Sequence, residues 1–398
     1  MLMFAKRASR PVQMLLLFLL GGFTALLAIV LALGPSIVEK RLNPRSTLLL
    51  QPVSPYAQTL HQSLTVADLH ADSLLWGRDL SKRSDDGYVD IPRLIEGNVA
   101  LQNFTVVTKV PQPLMMEDNS DRTDDITKLA ILQRWPIRSW FSLKQRSLHQ
   151  ARVLHKIARK SSGKFSIIKT RSDLKAYLDR RQNDQQITAG LLGLEGAQAL
   201  EGKIENVDRL YKAGFRTIGL AHFFDNEVSG SAHGVSDGGL TPLGQQVLAK
   251  IEDLGMVVDL AHASAQTIDD VLAIARRPVM VSHTGVRGTC DNPRNLSDYQ
   301  LEQIAQTGGV IGIGFWSTAV CSTDISSITW AIRYAVDLIG IDHVALGSDF
   351  DGAVQLPFDA AHLDQMTEGL MAEGFSDGEI EKIMGLNVIR LLQATLPA

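Results

Sequence analysis

Cysteine is scarce in this chain of 398 residues, which contains only Cys290 and Cys321. Two cysteines cannot form the disulfide framework of a small secreted domain, and we expect both to be buried free thiols. A single bridge between them would need a matching Cα geometry that sequence alone does not establish. With so little thiolate, any metal site must rely on histidine and carboxylate ligands.

A large excess of charge of either sign is also missing, since the formal net charge is −4. This small net charge gives no support for nucleic-acid binding. The composition, 45% hydrophobic and 21% charged, is typical of a folded globular protein with a large core and excludes a disordered chain. The length allows one large α/β domain or two ordinary ones.

Residues 1–34 predict an N-terminal membrane anchor. Residues 14–34 carry no charge, and a helix of this length spans roughly 30 Å, the thickness of a bilayer core. A cleaved signal peptide usually has a shorter apolar region of about 7–15 residues, so we favour an uncleaved anchor, although ALG before Pro35 resembles a weak cleavage site.

Basic residues flank this apolar segment on both sides and do not set its orientation. They are Lys6, Arg7 and Arg10 before it and Lys40, Arg41 and Arg45 after it. As for most single N-terminal anchors, we expect the N-terminus inside and the main domain outside, on the periplasmic side.

Residues 35–60, with four prolines, are predicted to form a linker, and residues 61–398 the folded domain. Strand-like and helix-like segments alternate along that domain. The predicted strands are short, apolar and rich in Val, Ile or Leu, as expected when both faces of a strand are buried. They cover 65–72, 100–110, 189–196, 215–222, 256–262, 278–283, 308–316 and 343–350.

Ionisable side chains crowd the C-terminal ends of these strands. They are His70, Asp72, Glu195, His222, His262, His283 and Asp349. An open, doubly wound sheet would spread them along a line, whereas a (β/α)8 TIM barrel gathers all eight strand ends around one mouth. We therefore predict a (β/α)8 barrel with an N-terminal transmembrane helix.

Five of these residues form a nitrogen and oxygen donor set that suits zinc and related divalent metals. They are His70, Asp72, Glu195, His262 and His283. One catalytic metal needs about three protein ligands, so five indicate two metals that share a carboxylate. Paired metals about 3.5–4 Å apart can hold a bridging hydroxide and polarise a carbonyl oxygen. Asp349 would then carry a proton from the water to the leaving group.

A residue of this kind, taken singly, is more often a hydrogen-bonded core residue than a ligand. Because these residues recur at equivalent strand ends, a chance arrangement is a weaker explanation than a shared site. Asp68 and Asp351 are expected to orient a ligand or a loop. Glu201, Asp259 and His233 are interpreted as lying outside the site.

An ordered set of motifs resembles the membrane (renal-type) dipeptidases, metallopeptidase family M19 of the amidohydrolase superfamily. The matching pieces are DLHAD, GLEGAQAL, the LAH of GLAHFFDN, GGLTPLGQQVL, MVVDLAHAS, VSHTGVRGTCDNPRNLSD, ALGSDFDG and GLNVIRLL. Any one of them is weak, but together they run in family order from about residue 65 to 397. The resemblance implies a (β/α)8 barrel, two zinc ions, hydrolysis of dipeptides including those with a C-terminal D-residue, and a homodimer.

The same resemblance assigns the metal ligands residue by residue. His70 and Asp72 match the ligands of one zinc, and His262 and His283 match those of the second. Glu195 matches the carboxylate that bridges them.

Three further matches concern the substrate and the proton. His222 matches a residue that helps bind the substrate and stabilise the oxyanion, and Asp349 matches the general acid/base. Arg294 matches the arginine that binds the terminal carboxylate of the substrate, a role that suits a guanidinium.

Two alternatives remain open. The first is another amidohydrolase-type hydrolysis, on a lactone, a β-lactam or an N-acyl amino acid, because related barrels vary their reaction through their loops. The second is a non-catalytic, metal-stabilised envelope scaffold. Asp349 argues against the scaffold, because a structural metal site needs no proton shuttle.

Residues 126–172 contain twelve Lys or Arg and no Asp or Glu. Apolar residues recur near helical spacing between Trp140 and Ile157. One interpretation is an ordinary barrel helix with a solvated basic face. The other is a surface that rests on anionic lipid beside the anchor.

Overall fold

The computed structural model describes residues 10–44, 50–236 and 238–398. Lys6, Arg7 and Arg45, which flank the predicted anchor, lie outside the described residues. The orientation of the anchor, which depends on these flanking residues, therefore stays a prediction.

One sheet of parallel strands forms the centre of the described chain. The strands are β1 Val66–Ala71, β2 Val99–Phe104, β3 Phe165–Ile167, β4 Thr188–Leu194, β5 Thr217–Gly219, β6 Val257–Asp259, β7 Met280–Thr284, β8 Val310–Ile313 and β9 Val344–Leu346. Pairing of β1 with β9 and of β2 with β4 closes eight of them into a barrel. The (β/α)8 fold is thus confirmed.

All eight predicted strands are present, whereas β3 was not predicted. This strand pairs with the first half of β4, outside the closed ring, with Phe165 opposite Thr188. It has three residues, and only Phe165 is buried. So short and partly exposed an element carries no periodic pattern that could reveal it.

Helices surround the barrel. They are α1 Arg10–Leu42, α2 Pro55–Ser63, α3 Ile91–Glu96, α4 Asp125–Leu132, α5 Ile137–Phe141, α6 Leu143–Lys160, α7 Arg171–Arg181, α8 Glu205–Ala213, α9 Pro242–Asp253, α10 Ala265–Ile274, α11 Asp298–Gln306, α12 Ser317–Val320, α13 Ile325–Ile339, α14 Asp364–Ala372, α15 Asp377–Glu381 and α16 Asn387–Thr395. A π-helical turn, Lys382–Leu386, joins the last two.

Side-chain caps fix where several barrel helices begin. Thr241 accepts a hydrogen bond from the Gly244 amide at the start of α9, and Ser264 accepts one from the Thr267 amide at the start of α10. Ser297 does the same for α11. Such caps satisfy backbone groups that the first turn leaves free, and they hold the end of each loop that leads from a strand into its helix.

Helix α1 is a candidate membrane span. Within its segment Leu17–Leu42, a stretch of 18 residues has a mean hydropathy of 2.5 and contains no buried residue. One such helix near the N-terminus is compatible with an anchor and with a signal sequence. The helix continues through Pro35 to Leu42, and α2 begins at Pro55, so both ends of the predicted linker are helical. The division into anchor, linker and domain stays a prediction.

The expectation of two buried free thiols was wrong, because Cys290 and Cys321 form a disulfide with Cα atoms 5.4 Å apart. Cys290 is buried, and Cys321 is exposed, in a left-handed conformation directly after α12. This turn brings Cys321 back onto the loop that follows β7. The two residues are 31 positions apart, and only the barrel places their loops side by side.

Helix α6 lies in the basic segment and packs on the barrel. Ala151, Leu154 and Ile157 are buried against it, while Lys156 and Lys160 are exposed. The predicted apolar stripe therefore serves as a core-facing surface, which is the first of the two interpretations of this segment.

Candidate active site

Side chains from six strand ends converge in one pocket at the mouth of the barrel, with a volume of about 330 Å³. Seven of the eight predicted site residues line it, namely Asp72, Glu195, His222, His262, His283, Arg294 and Asp349. The eighth, His70, is fully buried at the end of β1. Sequence-distant residues thus meet as the barrel prediction requires.

Glu195, which directly follows β4, lies at the centre of this group. Its Oε1 atom is 3.5 Å from Nε2 of His70, 3.1 Å from Nε2 of His262 and 3.6 Å from Nε2 of His283. Its Oε2 atom is 3.5 Å from Nε2 of His222. One carboxylate therefore reaches ring nitrogens on four different strand ends, which is the position a bridging ligand needs.

The remaining donors surround Glu195. Nε2 of His70 lies 3.5 Å from Oδ1 of Asp72 and 3.9 Å from Oδ1 of Asp349. The Nε2 atoms of His262 and His283 are 3.0 Å apart. Three overlapping groups each have ligand atoms within 4.8 Å of one another, close enough to hold a metal ion: His70 with Glu195 and His283, Glu195 with His222 and His262, and His70 with Asp72 and Asp349.

Several buried polar atoms point to metal binding. Nε2 of His70 and Oε2 of Glu195 make no hydrogen bond to any residue that the structure describes. Burying such groups without a partner is costly. Nδ1 of His70 and Nδ1 of His283 both lie near the Ser282 hydroxyl, at 3.1 and 2.9 Å, which leaves each Nε2 atom directed at Glu195. The donor set fits divalent cations.

Burial lowers the pKa of three histidines well below the ordinary value. These are His222, His262 and His283, and the positive charge of Arg294 lowers the pKa of each further. A low pKa keeps each imidazole neutral near pH 7. Neutral imidazole is the form that binds a metal ion.

In contrast to these three histidines, Glu195 and His70 have raised pKa values. Burial raises the pKa of Glu195 well above its ordinary value, and the neighbouring Asp72 raises it further. Burial alone would lower the pKa of His70, but Glu195 and Asp72 raise it to about 10. The carboxyl groups of the inner site are buried close to one another, and a bound cation would relieve the repulsion between their charged forms.

Asp349 is placed for proton transfer. It follows β9 in a left-handed conformation with φ of 61°. Burial raises the pKa of its carboxyl group; His70 and Arg294 oppose that shift and Asp72 adds to it, giving a value of about 8. A carboxyl group with such a pKa can hold and release a proton near neutral pH.

Arg294 lies on the pocket wall and is buried. Its Nη2 atom donates a hydrogen bond to the His283 carbonyl oxygen at 2.7 Å, and its guanidinium carbon lies 5.9 Å from the centre of the Trp316 ring. Burial lowers the pKa of Arg294 to about 10, so the group stays charged at neutral pH. A guanidinium held in this way can bind a carboxylate.

Two acidic residues next to the site have supporting roles. Asp68 accepts hydrogen bonds from the Ser348 amide and hydroxyl, both at 2.8 Å, and so braces the residue before Asp349. Asp259 accepts from the Ser282 amide at 2.9 Å and ties β6 to β7. Both contacts hold the barrel beneath the donor atoms.

His233, interpreted from sequence as lying outside the site, lines the pocket. Its Nδ1 atom lies 2.6 Å from the Met116 carbonyl oxygen, and its ring centre is 5.1 Å from that of His262. The residue belongs to the loop after β5, and a single loop histidine carries no periodic signal that could have identified it.

The outer wall of the pocket is apolar and was not predicted. Leu114, Met115 and Met116, in the loop after β2, line the pocket and are 48%, 56% and 42% exposed. Asn119 donates from its backbone amide to the His233 carbonyl oxygen at 2.9 Å. The two loops that form this wall are therefore held to each other.

Comparisons with known proteins agree with this geometry. A family model described as membrane dipeptidase (peptidase family M19) matches residues 55–396. "Dipeptidase ataJ" of Aspergillus terreus is 28% identical over 339 residues, which cover 77% of this chain and 76% of that protein.

Two solved structures share the fold. The probable dipeptidase PvdM from Pseudomonas aeruginosa has a TM-score of 0.71 at 20% identity, over 85% of this chain and 97% of that one. A metallopeptidase from Rhodobacter sphaeroides has a TM-score of 0.68 at 23% identity, over 83% of this chain and 99% of that one. At these identities the likeness shows the fold alone.

Proposed function

The chain belongs to the membrane dipeptidase family, peptidase family M19, and we propose that it is a two-zinc dipeptidase held at a membrane. Membership makes it a metallodipeptidase built on a (β/α)8 barrel. The central position of Glu195 carries the two-metal part of the proposal, because one of its oxygens lies within 3.6 Å of the Nε2 atoms of His70, His262 and His283.

His70 and Asp72 would hold one zinc ion, His262 and His283 the other, and Glu195 both. When bound, the ions supply Lewis acidity that polarises a carbonyl oxygen and lowers the pKa of a water molecule to give a hydroxide. Thr105 donates its hydroxyl to Oδ1 of Asp72 at 2.6 Å, which orients that ligand.

The other residues of the site bind the substrate and move the proton. Arg294 binds the free carboxylate of the dipeptide, which limits the site to short substrates. His222, neutral because burial lowers its pKa, stabilises the negative charge that develops on the carbonyl oxygen. Asp349, whose pKa burial raises to about 8, takes up the proton that the water loses and passes it to the departing amine.

The substrate class includes dipeptides with a C-terminal D-residue. The structurally similar metallopeptidase from Rhodobacter sphaeroides was solved with a phosphinate mimic of L-Ala-D-Ala. Likeness of fold makes this a reason to test such dipeptides on the present chain.

The domain lies on the outer side of the membrane in this proposal. The disulfide between Cys290 and Cys321 supports that placement, because disulfides persist in oxidising compartments such as the periplasm. Helix α1, with its long apolar segment, is the anchor. A homodimer stays a prediction from the family.

Anionic lipid is the second partner that we propose for residues 126–172. Ile137 and Phe141 are 67% and 84% exposed at the two ends of α5, next to the exposed Arg134 and Arg138. Helix α4 packs against both α5 and α1, so this surface adjoins the anchor. Exposed aromatic and basic side chains together are typical of a face that contacts anionic lipid.

Metal analysis and a substrate panel test the function. The full chain in detergent should bind two zinc ions and hydrolyse L,L and L,D dipeptides, and it should leave dipeptides with an amidated C-terminus intact because Arg294 then has no carboxylate to bind. Better turnover of lactones or N-acyl amino acids would favour the first alternative. Bound metal with no turnover of any substrate would favour the scaffold.

A further inference from the structure

The last turns of α1 pack against the catalytic end of the barrel. Val38 contacts an apolar cluster that contains Leu75, Trp76 and Val107. The same three residues line the active-site pocket. The end of α1 therefore packs on a cluster of which some members line the pocket.

A chain of buried ion pairs extends from this helix to the loop after β9. The Arg78 guanidinium donates to the Glu39 carboxylate through Nε and to the Asp351 carboxylate through Nη2. Glu39, Arg78 and Asp351 are all largely buried, with side-chain exposures of 3%, 10% and 0%. Arg78 thus links a carboxylate of the helix to a carboxylate of the loop.

Asp351 is held at several further points. Ser73 donates its hydroxyl to Oδ2 of Asp351 at 2.5 Å, and the Tyr88 amide donates to Oδ1 at 2.6 Å. The Trp76 indole donates to the Asp351 carbonyl oxygen at 2.7 Å. The loop after β9 is thus fixed from the anchor side of the pocket.

Asn43, directly after α1, makes a second connection. Its Oδ1 atom accepts a hydrogen bond from the Ala353 amide at 2.9 Å, and its side chain is buried. The backbone amide of Asn43 donates to the Glu39 carbonyl oxygen at 2.8 Å, so the residue that contacts Ala353 is itself bonded to the last turn of α1.

The loop needs such support because of its backbone. Asp349, Asp351 and Ala353 have φ values of 61°, 63° and 61°, in the left-handed region that non-glycine residues rarely adopt. A residue in this region persists only where its surroundings fix it. The Gly352 amide donates to the Asp349 carbonyl oxygen at 3.1 Å, which links the supported part of the loop to Asp349.

We propose that Glu39 and Asn43 are positioning residues for the acid–base step: they hold the loop 349–353 in the conformation that places the Asp349 carboxyl group beside His70 and Asp72. The anchor segment is then part of the catalytic domain, and it has a role in turnover as well as in location. This inference rests on the role proposed above for Asp349.

The test compares three variants of the full chain in detergent. Glu39→Gln removes a charge at nearly constant shape, and Asn43→Ala removes the contact with Ala353. Lys40→Gln is the matched control, since Lys40 lies in the same turn, is 62% exposed on its side chain and pairs with Asp86 outside the loop. We expect kcat to fall about tenfold for Glu39→Gln, with KM within about twofold and zinc content unchanged, because a small displacement of a catalytic group lowers the rate strongly.

Hydrogen exchange of the loop gives a second readout that does not depend on activity. Backbone amides of residues 349–354 should exchange faster in Glu39→Gln and Asn43→Ala than in Lys40→Gln. If the wild type hydrolyses no dipeptide, the proposed function fails, but the exchange rates still decide whether α1 holds the loop. Equal exchange and equal kcat in all three variants would overturn the inference. Should Glu39→Gln fail to fold, Asn43→Ala supports the same comparison.

Discussion

The inner part of the pocket and its outer wall differ in chemistry and in origin. The inner part consists of histidines and carboxylates at strand ends, and each of them lies in a short motif that is readable from the sequence. The outer wall consists of apolar residues in two loops, such as Met115, together with His233. The strand ends therefore position the ionisable side chains, whereas loops form the apolar part of the pocket. In barrels of this kind the loops can vary while the strands stay the same.

The largest effect is expected at the inner part. Asp349→Asn should lower kcat by about 10²–10⁴-fold, because the amide cannot carry the proton. Zinc content, measured by elemental analysis, should stay near that of the wild type. Normal turnover in this variant would show that Asp349 does not carry the proton. The inner part of the pocket would then not differ from the outer wall in its effect on kcat.

The wild-type pH profile tests the same residue. The general acid must be protonated, and burial raises the pKa of Asp349 to about 8, so kcat should fall as the pH rises through about 8. Glu201→Gln, which changes a carboxylate that does not line the pocket, serves as a control and should keep this alkaline limb. A profile flat from pH 6 to about 10 would contradict the assignment.

Arg294 lies in the pocket wall together with residues of the inner part and of the outer wall. Arg294→Lys keeps the buried charge but loses the bidentate geometry, so kcat/KM for dipeptides should fall about 30-fold, or about 2 kcal/mol. Arg287→Lys in the same loop is the matched control. An equal loss for both variants in steady-state kinetics would mean that Arg294 supports the loop and does not bind the carboxylate.

The outer wall should affect binding more than rate. His233→Gln should raise KM about three- to tenfold with kcat nearly unchanged, as for the loss of one contact of about 1 kcal/mol. His155→Gln on α6, whose ring nitrogen lies 2.8 Å from the Ala213 carbonyl oxygen, is the control. A large loss of kcat in His233→Gln would place this residue with the inner part.

The smallest effect concerns the lipid-facing surface. In nanodiscs that contain phosphatidylglycerol, amides of residues 134–144 should exchange more slowly than in phosphatidylcholine alone, because Arg134 and Arg138 gain anionic partners. Exchange in α10 should be the same in both. Equal exchange of residues 134–144 in the two lipids would rule out the anionic-lipid contact.

The local sequence pattern was sufficient to predict structural units that are short and repeated. The eight barrel strands and their polar ends could be predicted because buried parallel strands are continuous apolar runs and their ends are marked by ionisable residues. Strand β3 and the pocket role of His233 escaped because neither a three-residue strand nor a loop histidine carries a periodic signal. The disulfide escaped because a pair of cysteines does not show whether their loops meet.

The sequence by itself determined the barrel, the donor set and the apolar anchor segment, since each follows from residue type and spacing along one element. Only the tertiary structure decided that Glu195 lies between the histidines, that Cys290 meets Cys321, and that α1 ends against the loop of Asp349. The physical reason is that these contacts join elements far apart in the chain. Their distances depend on how the barrel closes and on how its loops pack, which no local pattern encodes.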